Sequence, residues 1–98
     1  MNKYYLSGKI TGLPPETVRY NFNVYSRELR DYFDAIVINP LKLKPFLVKC
    51  WLGYMITDIM TIRCCTHVAF MPNWTDSKGA VIEYFFAKFV FKKVIVFL

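Results

Sequence analysis

Ninety-eight residues with 55% hydrophobic, 18% aromatic and 20% charged side chains exclude a disordered linker, and the length predicts one domain over residues 1–98. Thirteen Lys and Arg against seven Asp and Glu give a net charge of +6, which attracts anions of any kind, whether nucleic acid, nucleotide phosphate or lipid headgroup. Cys50, Cys64 and Cys65 form neither a Cys-x-x-Cys pattern nor an even disulfide set, so the expectation is a reducing cytosol, with no metal and no cofactor.

Lys3–Ser7 (KYYLS) reads as a short strand ending at Gly8, and Gly12, Pro14 and Pro15 follow as a turn. The turn leads into a helix, Glu16 to Asp31, with an apolar stripe of Val18, Phe22, Tyr25 and Leu29; Tyr20, Val24, Arg27, Glu28 and Asp31 mark its mixed, more polar side. Pro15 suits a first helical turn. Residues 35–38 (AIVI) form an unalternating apolar run, as expected of a strand buried on both faces, and Asn39-Pro40 closes it. A basic connector, 41–49, precedes a helix over 51–65 with Leu52, Met55, Ile56, Ile59 and Ile62 at helical steps. Residues 67–71 (HVAFM) read as a third strand stopped by Pro72, and 73–78 as a polar turn. Residues 79–90 read as a helix, and 94–97 as a fourth strand.

The β-α-β-α-β-α-β alternation predicts an α/β fold: a doubly wound parallel sheet of four strands, order 2-1-3-4, with helices on both faces. Ligands of such sheets bind beyond the carboxyl ends of the strands, at the switch point between the first and third. That edge gathers the turns at 8–13, 39–40 and 72–79. The spacing of Gly8 and Gly12 fits either a plain tight turn or a cradle for an anion at the following helix N-terminus. Ser77 or Asp76 reads as an N-cap of the third helix, with Lys78 solvated beside it.

Two carboxylates stand out. Glu83 lies among Val81, Ile82, Tyr84, Phe85, Phe86 and Phe89, so it must be paired, exposed at an edge, or employed. Asp58 is the single charge in residues 54–60 (YMITDIM), which fits an exposed position or a second acidic group of a site. Two isolated carboxylates with Tyr5 on the first strand match glycosidic-bond chemistry, where one group attacks or stabilises the anomeric carbon and another handles the leaving-group proton.

The ordered set Tyr5-Leu-Ser-Gly8-Lys-Ile-Thr-Gly12-Leu-Pro, Tyr54-Met-x-x-Asp58 and Pro72-x-Trp74-x-x-Ser77-Lys-Gly79-Ala80-x-x-Glu83 resembles the nucleoside 2-deoxyribosyltransferase superfamily. Within it, the chain is most similar to the short phage and bacterial proteins grouped as domain of unknown function 4406. The resemblance implies a flavodoxin-like fold. It also implies Glu83 as the nucleophile at C1′, Asp58 as the acid assisting the departing base, and Tyr5 as the residue orienting Glu83. Gly8, Ile10 and Gly12 match the loop around base and sugar. Ser77 falls where the transferases usually carry Asp and the related deoxynucleoside 5′-monophosphate N-glycosidases carry Ser toward the phosphate. Lys9, Lys78 and the helix start at Gly79 add to the anion field. His67 stands where relatives commonly have Asp.

The activity expected from the resemblance is a nucleoside 2-deoxyribosyltransferase, or a (deoxy)nucleoside 5′-monophosphate N-glycosidase, working through a covalent glycosyl-Glu83. The alternative is a module that binds and sequesters a nucleotide or nucleotide signal without cleaving it. Nucleic-acid binding through Lys42, Lys44 and Lys49 is a weaker reading, as no recognition motif accompanies them. Nine Phe, seven Tyr and two Trp are more apolar surface than a small monomer hides, and the 79–90 helix is expected to carry a homodimer or larger homo-oligomer. No secretory signal is expected before Gly8. The apolar stretch 85–98 is interrupted by lysines and shorter than the ~20 residues a membrane span needs, so a cytoplasmic protein without membrane contact is the expectation.

Overall fold

The computed structural model describes residues 2–43 and 50–98. Lys44 and Lys49 of the basic connector lie outside the described residues. Four parallel strands form one sheet: β1 (Lys3–Ser7), β2 (Ile36–Ile38), β3 (His67–Phe70) and β4 (Val94–Phe97), in the expected order β2-β1-β3-β4. Ser7 stands opposite Phe70, and Phe70 opposite Phe97, so these three strands end level at one edge.

Alternation along β1 divides the core. Tyr4 and Leu6 join Ala69 and Met71 against Val18, Phe22 and Leu29 of α1 (Pro15–Phe33). On the opposite face, Tyr5, Val68 and Phe70 pack with Ile62 of α2 (Trp51–Arg63), Cys65 and Ala87. α1 starts with Pro14 as its cap and Pro15 in its first turn, and it ends on Asp34 in the left-handed conformation, φ 49°. In α2, the buried positions are Gly53, Met55 and Ile62, whereas Leu52 of the expected stripe is 61% exposed.

The helix expected over 79–90 has two parts. α3 (Lys78–Phe85) is α-helical, and Phe86–Val90 widens into a π turn closed by the Phe91 N–H donating to the Phe86 carbonyl at 2.8 Å. Lys92, at φ 53°, then turns the chain into β4. The π turn buries Ala87 completely and leaves Phe89 and Val90 exposed.

The chain leaves β1 through Gly8, whose lack of a side chain leaves room for the end of Met71. A Cβ there would lie 2.8 Å from Met71 Sδ and 2.9 Å from its Cε, and Met71 is itself buried. Gly8→Ala is therefore expected to destabilise the protein by about 1–3 kcal/mol. Thermal melting checks this. Met71→Ala in the same chain should recover part of the loss, and a double variant as unstable as the sum of the two singles would contradict the contact as its origin.

Candidate functional site

The carboxyl edge of the sheet opens into a cleft of about 700 Å³ between the turn after β1, the turn after β2, α2 and the N-terminal half of α3. Gly8, Lys9 and Ile10 form one wall, with Lys9 held by its backbone N–H donating to Asn73 Oδ1 at 3.1 Å. Asp76, Ser77, Lys78 and Gly79 form another. Ser77 caps α3 by accepting from the Ala80 N–H at 3.2 Å, which leaves its own O–H free to donate. Gly79 permits the close approach of α2, since a Cβ there would meet Met55 Sδ at 3.2 Å.

Glu83 is one and a half turns into α3 and points back at β1. It is 5% exposed, and both of its oxygens are held: Tyr5 donates to Oε2 at 2.6 Å and Ser7 donates to Oε1 at 2.7 Å. Strand periodicity places these two hydroxyls side by side, because residues two apart share a face. Burial, reinforced by the charge of Asp58, pushes the Glu83 carboxyl up to about 8, against the pull of the two hydroxyls. Asp58, half-buried on α2, faces the same cleft, and burial raises it to about 6, with Tyr5 pulling the other way. Tyr5 is fully buried, and burial and the two carboxylates push its phenol well above its ordinary value. A protonated phenol is therefore the form that holds Glu83.

The structure brings Glu83, Asp58, Gly8, Lys9, Ile10, Ser77 and Gly79 to one cleft, with Tyr5 directly behind Glu83. Gly12 does not line it. Its φ of +90° makes it the left-handed residue that shapes the turn into α1, so its contribution is to the path of the chain. Asp58 on the cleft wall is not a solvent-face residue. His67 lies at the other end of β3, stacked on Tyr4 at 4.4 Å. Sequence reasoning missed Ser7, although the Tyr5-x-Ser7 alternation was a usable signal. It also missed Trp51, and gave Tyr54 a place in a motif but no role; both line the cleft from α2, and Lys78 Nζ lies 5.6 Å over the Trp51 ring.

The arrangement offers a buried carboxyl fixed by two hydroxyls, a second carboxyl open to the cleft, an aromatic wall suited to a planar ring, and donors at Ser77, Lys9 and Lys78. Among the described residues, no group of three or more His, Cys, Asp or Glu is placed to hold a metal ion, and no helix is long and apolar enough to cross a membrane.

The sequence matches the family described as "Domain of unknown function (DUF4406)" over residues 2–96. The fold is similar to a solved structure, "2-desoxiribosyltransferase from Leishmania mexicana", with a TM-score of 0.70 at 19% identity. The match covers 100% of this chain and 64% of that one, so this chain spans just under two thirds of that protein's length. No curated protein matches the sequence.

Proposed function

The chain belongs to the DUF4406 family, and from the geometry of its cleft we propose that it cleaves the N-glycosidic bond of a deoxynucleoside or its 5′-monophosphate. One observation carries the reading: Glu83, buried and held at both oxygens by Tyr5 and Ser7, faces the same cleft as Asp58. An ionised Glu83 oxygen attacks C1′, the C1′–N bond breaks, and its electron pair leaves with the base, which takes a proton from Asp58. Water, or a second base, then gives its proton to the Asp58 carboxylate and attacks C1′; the C1′–O bond to Glu83 breaks and frees its carboxylate, giving hydrolysis or transfer. Ser77, Lys9 and Lys78 would receive a 5′-phosphate, and Trp51 and Tyr54 the base. Incubation with a panel of deoxynucleosides and their monophosphates, followed by chromatography, should reveal free base. No release from any of them, or release unchanged in Glu83→Ala, defeats the proposal.

A second reading, binding without cleavage, draws on the raised Glu83 carboxyl. At neutral pH most of it holds a proton, and a protonated carboxyl is a poor nucleophile. Tight binding of an intact nucleotide, retained by Glu83→Gln and without base release by the unsubstituted protein, would favour that reading.

Self-association is proposed on the outer side of α3 and its π turn. There Val81, Phe85, Phe89 and Val90 are 43%, 53%, 59% and 50% exposed, and the Phe85 and Phe89 rings lie 5.6 Å apart. Light scattering at micromolar concentration should give a dimer or larger species that Phe85→Lys dissociates. A monomer would refute it.

A further inference from the structure

The Pro40–Lys42 turn, which lends Pro40 and Leu41 to the cleft, lends Lys42 to a second cavity of about 360 Å³. This cavity is walled by α1 and the carboxyl end of β2. From α1 come Asn23, Arg27 and Arg30, at the four- and three-residue steps that share a helix face, with Ser26 beside them. From the β2 side come Asn39 and Lys42. Three cations therefore surround the space, and among the described residues no carboxylate lines it.

Ser26 supplies an independent observation. It is 3% exposed and lines the cavity, and its Oγ has no hydrogen-bond partner among the described residues. A hydroxyl buried in that state costs stability unless something accepts its proton. Asn39 spends its amide oxygen on the Leu41 N–H at 3.0 Å, so the end left for a ligand is its NH₂. Donors dominate the lining: two guanidinium forks, an ammonium, a hydroxyl and the Asn39 NH₂, with the Asn23 amide able to turn its own NH₂ inward. A carboxylate, with two oxygens and one charge, would leave most of them unused. A phosphate offers three or more oxygens and up to two charges, and arginine forks match its geometry.

We propose that this cavity binds the phosphate group of a small molecule, at a site separate from the cleft that contains Glu83. The volume falls in the range of small-molecule pockets and is larger than a bare phosphate requires, so an organic part has room beside it. The site does not depend on whether the cleft cleaves nucleosides.

The test is titration of the full chain with inorganic phosphate and, separately, with a deoxynucleoside 5′-monophosphate, at ionic strength held constant with sodium chloride. A saturable rise in melting temperature is expected with inorganic phosphate. Arg27→Ala and Arg30→Ala, both at exposed positions, should each weaken the affinity about tenfold. Ser26→Ala should weaken it several-fold without lowering the melting temperature of the unliganded protein, an outcome that loss of a structural contact would not give. Arg63→Ala, which removes an exposed cation at the end of α2 that lines neither the cavity nor the cleft, should bind inorganic phosphate unchanged. Nucleotide binding that is tighter than phosphate binding and depends on Arg27 and Arg30 identifies a phosphorylated organic ligand, whereas equal affinities identify free phosphate as sufficient. The proposal is overturned by a response no greater than that to chloride, by an affinity for inorganic phosphate that Arg27→Ala/Arg30→Ala leaves unchanged, or by an equal loss in Arg63→Ala.

Discussion

Replacing Glu83 with Gln is expected to stabilise the protein while abolishing base release, two large effects of opposite sign from one atom. In the folded chain the Glu83 carboxyl titrates near 8, against 4.5 for the ordinary group, chiefly because burial disfavours its charge. Between those two pH values the folded state keeps a proton that the unfolded state has already released. Stability therefore falls as pH rises through that window, and the loss is complete above about pH 8. A shift of that size corresponds to roughly 4–5 kcal/mol, comparable with the whole stability of a small domain. Gln has the same shape but carries no charge. Its amide oxygen can accept from one of the hydroxyls of Tyr5 and Ser7, while its NH₂ donates to the other. The melting temperature of Glu83→Gln should exceed that of the unsubstituted protein at pH 8, by a margin that shrinks toward pH 5. Base release should drop at least about a thousandfold, as expected when a nucleophile is removed. A variant less stable than its parent at pH 8 would mean that the two hydroxyls more than repay the desolvation of the carboxylate.

That trade explains why Glu83 was legible in the sequence. A carboxylate among Val81, Ile82, Tyr84 and Phe85 breaks the local rule that apolar helix faces carry apolar residues, and such breaks mark sites that serve something other than stability. The sheet was legible for the opposite reason. Residues 35–38, 67–71 and 94–97 are continuous apolar runs separated by helix-length segments, and a right-handed crossover leaves few orders for four such strands. Ser7 escaped notice because a serine before glycine reads as the start of a turn; only its pairing with Glu83 Oε1, 76 residues away, reveals its use. Trp51 and Tyr54 lie beside the apolar stripe of α2, and periodicity alone does not tell whether that side of the helix meets solvent or a cleft. Arg27 and Arg30 are hidden in the same way. On the helix alone they belong to a solvated face, and they become the wall of a cavity once the β2 end and the Pro40–Lys42 turn fold across from them. Asp58 stood out as a lone charge, but its spacing fitted an exposed position as well as a second acidic group, and the resemblance favoured the second.

The pH dependence of base release is expected to be flat between about pH 6 and pH 8 and to fall on either side, the limits being set by Asp58 near 6 and Glu83 near 8. The proposed chemistry needs Glu83 ionised and Asp58 protonated. With those values, this form is about 1% of the free protein at pH 7, because each group is then roughly one-tenth in its required state. The opposite form, protonated Glu83 with ionised Asp58, dominates and would give a curve of the same shape, so the curve alone does not assign the roles. Asp58→Asn does. If Asp58 donates the proton, the variant loses the fall at high pH. Its remaining limb, that of Glu83, moves below 8 because the neighbouring negative charge that raised it is gone. Release of a purine or pyrimidine at pH 7 should fall about a hundredfold or more. Release of 4-nitrophenol from its deoxyriboside should fall far less, since so acidic a leaving group departs without a proton. Loss of the low-pH limb in place of the high-pH one would show Asp58 working as an anion, and the proton for the departing base would then have to come from water or from Glu83 itself.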